Sequence, residues 1–460
     1  MREISASADS LVAALLALPE SKNLCLLDSC GVSHLNSHLL IAGIEPVEVL
    51  EIRGGDAAQT LRLLDEKLSL PGTAVIFTIS YDFGLKLEKI QPRPKPFPTF
   101  DEPDVFLAVF DALIIHDYET GKTFLSGKKE KLDAIETLLI NSTDSKNSTN
   151  STVSTDLLHF SNFTQSEYES AVEEIKERIR NGDTYQTNLT RQIRLRLPKN
   201  LTPERIFSNL RKNHPAPFAS FLRRKTDVVI SASPERFFKI EAQNSASNLQ
   251  LRTQDSILKT PDSKLISTSP IKGTRPRGKN AAEDLRLKNE LLNSEKDRAE
   301  NVMIVDLLRN DIGRICEFGS VKVEKLCDLE EHPTLFHLVS TVSGKLRADV
   351  KFSDIIRAVF PCGSITGAPK IITMRIIDEI ETAPRGLSMG AIGYSVCGGN
   401  FPLENSVDMS VAIRTMTVHE REAVFNVGGG IVIDSVPECE YEETVVKSKA
   451  LLQSIGIRET

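Results

Sequence analysis

The residues with most chemistry to offer lie in Pro270-Ile271-Lys272-Gly273-Thr274-Arg275-Pro276-Arg277-Gly278, which packs two prolines, two glycines and three cations together. Proline removes a backbone donor and glycine opens φ space that other residues avoid, so the segment predicts a stiff, shaped turn rather than a helix. Lys272 and Thr274 would be presented on that turn. A lysine held there can act as a point charge toward an anion or, once desolvated, as an amine nucleophile. The local sequence leaves both roles open.

Asp297 and Glu300 are three apart in a helix predicted from about 294 to 309, so they share a face. Ile304, Leu307 and Leu308 continue that face, which puts Glu300 on the line of the core-facing stripe. A carboxylate there must be paired, hydrogen-bonded or metal-bound, because a bare buried charge is very costly. The plainer alternative is that both acids complement the helix N-terminus. Glu440 and Glu443 repeat the spacing in a last helix, about 437 to 454, with Lys447 one turn further on. Glu443 and Lys447 could equally form an ordinary surface ion pair. Together the two acid pairs suggest an oxygen-ligand site for Mg²⁺, which favours a few carboxylates plus waters and substrate oxygens.

Three further elements suit anions. Ser364 to Lys370 reads as a turn feeding a helix, with Pro369 in its first turn and free N–H groups at the start. Gly428, Gly429 and Gly430 would let backbone N–H groups approach a ligand closely. Arg414 ends an apolar strand and could grip a carboxylate with two hydrogen bonds. A plain helix start, a β-bulge and a surface arginine explain the same residues without a ligand. His337 sits in an apolar strand-like run, where a histidine is commonly a satisfied core residue.

The elements that must position these groups come from 460 residues, 40% hydrophobic and 26% charged, an ordinary globular profile. A formal net charge of −7 argues against a dedicated nucleic-acid binder and leaves room for a locally cationic pocket. Seven dispersed cysteines, none in a CxxC pair, point away from zinc and toward a reducing cytoplasm. The apolar run at 11–18 falls short of the roughly 20 residues that span a bilayer and lacks a positive lead-in, so no membrane segment or export signal is expected.

Residues 1–140 read as a first part, with strands near 24–28, 47–52 and 74–79, a continuous apolar strand run at 105–115, and an amphipathic helix at 56–67. Residues 141–160 are a polar, low-complexity linker whose sequons at Asn141, Asn147 and Asn150 are incidental composition. Residues 161–460 form the second part. It opens on a helix capped by Ser166 and Glu169 and is interrupted by a second polar insertion from about 243 to 269. Strands and helices mix without strict βαβ alternation, which favours an α+β fold with antiparallel sheets.

Taken together, these segments resemble the chorismate-utilising enzymes, and among them the component I proteins of aminodeoxychorismate synthase and its sister anthranilate synthase. The resemblance rests on Gly182 to Leu189, Ser233-Pro234-Glu235-Arg236-Phe237, the Pro270–Gly278 stretch, Ala299 to Asp311, Gly363 to Lys370, Ala412 to Thr415 and Gly428 to Lys447. It covers about residues 160–455 in family order, with fainter matches at Leu26-Leu27-Asp28-Ser29 and Tyr81-Asp82-Phe83-Gly84. It implies large antiparallel sheets with helices packed between them. Glu300 and Glu443 would be Mg²⁺ carboxylates supported by Asp297 and Glu440, the ion holding the ring carboxylate of chorismate. Arg414, Gly428–Gly430 and Lys447 would hold carboxylates, Thr274 would lie beside them, and His337 near the ring.

Lys272 separates the sisters. Anthranilate synthases usually carry alanine there, whereas in aminodeoxychorismate synthases the lysine is thought to attack ring C2 as the 4-hydroxyl leaves. Ammonia, from a separate glutaminase subunit, then adds at C4 and expels the lysine, giving 4-amino-4-deoxychorismate for p-aminobenzoate and folate. Gln186 stands where isochorismate and salicylate synthases carry a water-activating lysine. Anthranilate synthase component I and a non-catalytic chorismate-binding subunit are the alternatives. Departures include Cys362 for the usual glycine, strained if that position needs positive φ, and Ser388-Met389. Beyond Leu-Leu-Asp-Ser the tryptophan-binding pattern is missing, so feedback inhibition is not expected.

Overall fold

A computed structural model describes residues 1–97, 100–142, 159–242, 263–331, 335–398, 401, 403 and 405–457. Strand alternation sorts side chains to two faces. In Thr73–Ile79, Val75, Phe77 and Ile79 face the helices Ala57–Leu68, Tyr81–Leu87 and Phe352–Val359, while Ala74 and Ile76 face strands of another sheet. The same rule places Leu26, Leu40 and Ala42 under helices and Cys25 and Ile41 between sheets. Each of the larger aliphatic and aromatic side chains so withdrawn from water contributes about 1.5–3 kcal/mol.

Among the described residues this builds two sheets of twelve and ten strands, paired antiparallel throughout. The expected α+β class holds. The layering differs: the core between the sheets is made of strand and loop side chains, and helices cover the outer faces. The reason is that the strands present an apolar face on both sides, so each sheet can be buried twice. Both sheets draw strands from residues 1–140 and from residues 161–460.

The chain passes between the sheets at short breaks. The apolar run 105–115 is not one strand: Val105–Phe110 belongs to the ten-stranded sheet and Ala112–Asp117 to the twelve-stranded one, with Asp111 at the break. Asp227–Ser233 and Arg236–Ala242 divide in the same way around Pro234-Glu235, and Ser406–Val411 and Thr415–His419 around Ala412-Ile413-Arg414. The last two breaks lie side by side: Val411 N–H donates to Glu235 O at 3.1 Å and Ala232 N–H to Arg414 O at 3.0 Å.

Local expectations are refined elsewhere. The capping box is Thr164 with Glu167, not Ser166 with Glu169, because Thr164 keeps extended backbone while its Oγ1 accepts from Glu167 N–H. Tyr81-Asp82-Phe83-Gly84 opens the helix Tyr81–Leu87 under a Ser80 cap. Most of the polar linker, with Asn147 and Asn150, and residues 243–262 of the second insertion lie outside the described residues. Asn141 lies in the helix Lys129–Ser142, and the end of that insertion is the strand Lys264–Thr268.

Candidate active site

The Pro270–Gly278 stretch is not a turn. Ile271–Pro276 is a sheet-edge strand laddered to Leu335–Lys345. Proline is tolerated at an edge because its missing N–H leaves no partner unsatisfied. Lys272 pairs with Leu338 and Thr274 with His337, so Gly273 is the extra residue of a bulge, at φ 76°. A side chain on Gly273 would come within 2.9 Å of Asp297, so the bulge also admits the acid helix Glu295–Gly313. Thr274 Oγ1 lies 2.9 Å from His337 Nδ1, joining two expected site residues.

The second acid helix, Pro437–Ile455, packs against the strand Glu422–Ile431. Gly428–Gly430 are laddered to Thr190, Leu189 and Asn188. Pairing of that strand with Thr415–His419 stops at Val424, so the glycines have a strand on one edge only. Lys447 uses the opening, donating to Gly428 O at 2.8 Å. A side chain at Gly429 would sit 3.1 Å from Glu440 Oε2 and 3.3 Å from Glu443 Oε1, so both carboxylates converge over this residue. Substituting Gly428 puts Cβ 2.1 Å from Leu189 O, a backbone clash. At Gly430 the nearest atom is the Gln186 amide, 2.2 Å away. Gly428→Ala is therefore expected to destabilise the protein by about 1–3 kcal/mol. Gly430→Ala should cost less because a side chain can move. Thermal unfolding of the two variants checks the order.

Charges converge from both helices. Burial pushes Glu300 above the ordinary carboxylate range; Lys272 and Lys296 pull it back, and Asp297 and Glu440 add to the rise. Burial likewise raises Glu440, against a 2.6 Å hydrogen bond from Ser435 Oγ. Burial also works on Glu443, but Lys447 at 2.6 Å, with Lys272 and Lys296, outweighs it and holds that carboxyl low. Asp297 is held by Arg275 at 3.2 Å. The expected acids thus share one electrostatic neighbourhood. They do not form a tight ligand cluster: among the described residues only His38, Asp117 and Glu119 bring three ligand atoms within 4.8 Å. That trio is accounted for by the His38–Asp117 hydrogen bond and the turn at Glu119 and Thr120. The donor chemistry around Glu300 still suits a hard cation, whose charge would relieve the repulsion between two desolvated carboxylates.

Lys272 is half-buried, and its amine makes no hydrogen bond or ion pair to any described residue. The Arg414 guanidinium likewise makes no hydrogen bond or ion pair to any described residue. It sits at the break between the sheets at φ 48°, exposed to solvent, yet surrounded closely enough that burial lowers its pKa. It does not end a strand as expected but lies beyond one.

Two residues escaped the sequence reading. Glu235 lies in a quoted stretch but had no role; it is buried, accepts from Ser364 Oγ at 2.7 Å and faces Lys272 and Lys447. Burial pushes its carboxyl up, and those three groups oppose the shift. Lys296 faces Glu300, Glu440 and Glu443. Its position one turn before Glu300 was the available signal. Cys362 has φ −58°, so the condition for backbone strain is not met. One expectation fails. Pro369 is the N-cap of Lys370–Ile380, not a first-turn residue, and Lys370 turns away to Asp311 at 2.6 Å. A separate cavity of about 460 Å³ is lined by Leu27, Asp28 and Ser29 of the faint N-terminal match, with Phe218, Tyr394 and Asp408.

Two antiparallel sheets, with two helices whose acids share one electrostatic neighbourhood with Lys272, Lys296 and Lys447, set the frame: the chain belongs to the chorismate binding enzyme family, whose model matches residues 25–249 and 257–453. Within it, the chain is 35% identical over 410 residues to anthranilate synthase component 1 of Aquifex aeolicus, covering 86% of this chain and 76% of that one. It is 32% identical over 454 residues to aminodeoxychorismate synthase component 1 of Bacillus subtilis, covering 91% and 89%. The crystal structure of anthranilate synthase component I from Streptococcus pneumoniae superimposes with a TM-score of 0.74 at 28% identity, covering 91% of this chain and 93% of that one. Among the described residues no helix is long and apolar enough to cross a membrane.

Proposed function

We propose that the protein is the synthase component that converts chorismate and ammonia to 4-amino-4-deoxychorismate. The observation that carries this reading is Lys272: an amine with no hydrogen-bond or ion-pair partner among the described residues, near enough to Glu235, Glu300 and Glu443 that all three sense its charge. In the proposed sequence the Lys272 amine bonds to ring C2 as the 4-hydroxyl departs with a proton, leaving as water. Ammonia then bonds to C4 and the lysine amine leaves C2. Glu235 is the buried carboxyl placed to deliver or receive those protons, since burial raises its affinity for a proton.

Chorismate carries two carboxylates, which accounts for separate anion holders. Arg414 and Lys447, with the open edge of Gly428–Gly430, would take them, and Thr274 and His337 form a polar wall beside Lys272. Glu300 and Glu443, supported by Asp297 and Glu440, would hold Mg²⁺; when bound, the ion supplies positive charge to the ring carboxylate. Ammonia would come from a separate glutaminase subunit, in keeping with the "component 1" names of the relatives. Seven free cysteines fit a cytoplasmic setting.

The test is product analysis with chorismate, ammonium and Mg²⁺, adding a lyase to release p-aminobenzoate. Anthranilate as the product would overturn the reading in favour of the second one, which the Aquifex and Streptococcus likenesses favour. Arg414→Ala is expected to raise KM for chorismate about 10- to 100-fold, the worth of a charge-assisted hydrogen bond. Steady-state kinetics check this, and an unchanged KM would remove Arg414 from the substrate site.

A further inference from the structure

We infer that Cys362 is a positioning residue for the amination: its thiol holds the Ser364 hydroxyl as a donor to Glu235, the buried carboxyl that faces Lys272. This rests on the functional reading above and adds a residue to it. The three side chains are buried and joined in series. Cys362 Sγ lies 3.3 Å from Ser364 Oγ, and Ser364 Oγ–H donates to Glu235 Oε1 at 2.7 Å. A hydroxyl has one proton to give. With that proton committed to the Glu235 carboxylate, the serine oxygen can only accept from the thiol, so the donor is Cys362.

The thiol is able to do this throughout the working range, because burial pushes it up to about 12 and it stays protonated. Chains of donors polarise one another, so the thiol strengthens the serine–carboxylate bond. The loop that carries both groups is fixed. Thr366 Oγ1–H donates to Cys362 O at 2.9 Å, Arg385 donates to Ile365 O at 2.9 Å, and a side chain on Gly363 would meet Leu307 at 2.5 Å. The charged groups facing these three are Lys272 and Lys447 at Glu235 and Lys370 at Cys362. A hydrogen bond to the charged form favours it. Losing the relay should therefore let Glu235 keep its proton to higher pH.

Four proteins are compared: wild type, Ser364→Ala, Cys362→Ala and Cys362→Ser. The readout is the pH profile of kcat/KM for 4-amino product from chorismate, ammonium and Mg²⁺. Ser364→Ala should lower kcat/KM about tenfold, the worth of one charge-assisted bond, and move the limb set by Glu235 to higher pH. Cys362→Ala should move that limb the same way by a smaller amount. Cys362→Ser, which restores a donor, should bring it back toward wild type. A cysteine that only packs would change thermal stability and leave the limb in place, and that result overturns the inference. The second readout is the infrared S–H stretch of the resting protein, assigned by its loss in Cys362→Ala. It should shift in Ser364→Ala, and an unmoved band also overturns the inference. A wild type that makes no 4-amino product overturns the functional reading instead, and the catalytic role with it, while the band still reports the bond.

Discussion

Replacing Lys272 with alanine is expected to abolish amination at C4, by about 10⁴-fold or more in kcat/KM, the scale seen when an enzyme loses its nucleophile. Stability should barely change. The Lys272 amine is half-buried and has no hydrogen-bond or ion-pair partner among the described residues, and substitutions that break no such contact lie within about 0.5 kcal/mol. The split between lost rate and retained melting temperature separates a nucleophile from a structural lysine. Lys272→Arg should fail as fully, since a guanidinium keeps the charge and loses the nucleophilic amine. A mere point charge would survive that exchange. Intact-mass analysis of wild type quenched after mixing with chorismate and Mg²⁺, without ammonium, should show the adduct. Full activity in Lys272→Ala would sink the covalent role.

The second large effect is expected at Glu300. Glu300→Gln should lose Mg²⁺ activation and about 10²–10³-fold in kcat, the cost of removing one electrostatic group from a reacting centre. Glu300 is the site carboxylate with no hydrogen-bond or ion-pair partner among the described residues, and burial and two neighbouring acids work against its charge. A group held under that penalty destabilises the resting fold, so the glutamine should melt at the same temperature or higher without metal. Added Mg²⁺ should raise the melting temperature of wild type, by about 2.7 kcal/mol of stability at a hundred times Kd, and leave Glu300→Gln unmoved. Chelation with EDTA should abolish wild-type turnover, and return of Mg²⁺ should restore it. Persistence of both the Mg²⁺-dependent rate and the thermal shift in Glu300→Gln would remove this residue from the metal site.

Helix periodicity carried the acid pairs well. Glu300 sits three residues from Asp297 and in line with Ile304 and Leu308, both of which are buried. Spacing along one helix is a local property, which is why it survives without tertiary knowledge. Strand registers did not survive in the same way. The run 105–115 has no polar break except Asp111, yet it serves two sheets. Lys272 could be placed on a rigid element but not on the right one, because proline and glycine are as compatible with a bulged edge strand as with a turn.

What the sequence determined by itself is the class of fold, the helix-borne acid pairs and the presence of a lysine set among prolines and glycines, all properties of neighbours in the chain. Only the tertiary structure decided that the sheets face each other directly. It alone brought the Pro234-Glu235 and Ala412–Arg414 breaks together, and it alone showed Cys362, Ser364 and Glu235 joined in series. The physical reason is long-range closure. Glu235 and Ser364 are 129 residues apart, and their 2.7 Å bond exists because two sheets and a loop converge, not because either segment encodes it. The Pro270–Gly278 stretch marks that limit: its lysine was legible, but the free amine facing three acids was a result of packing.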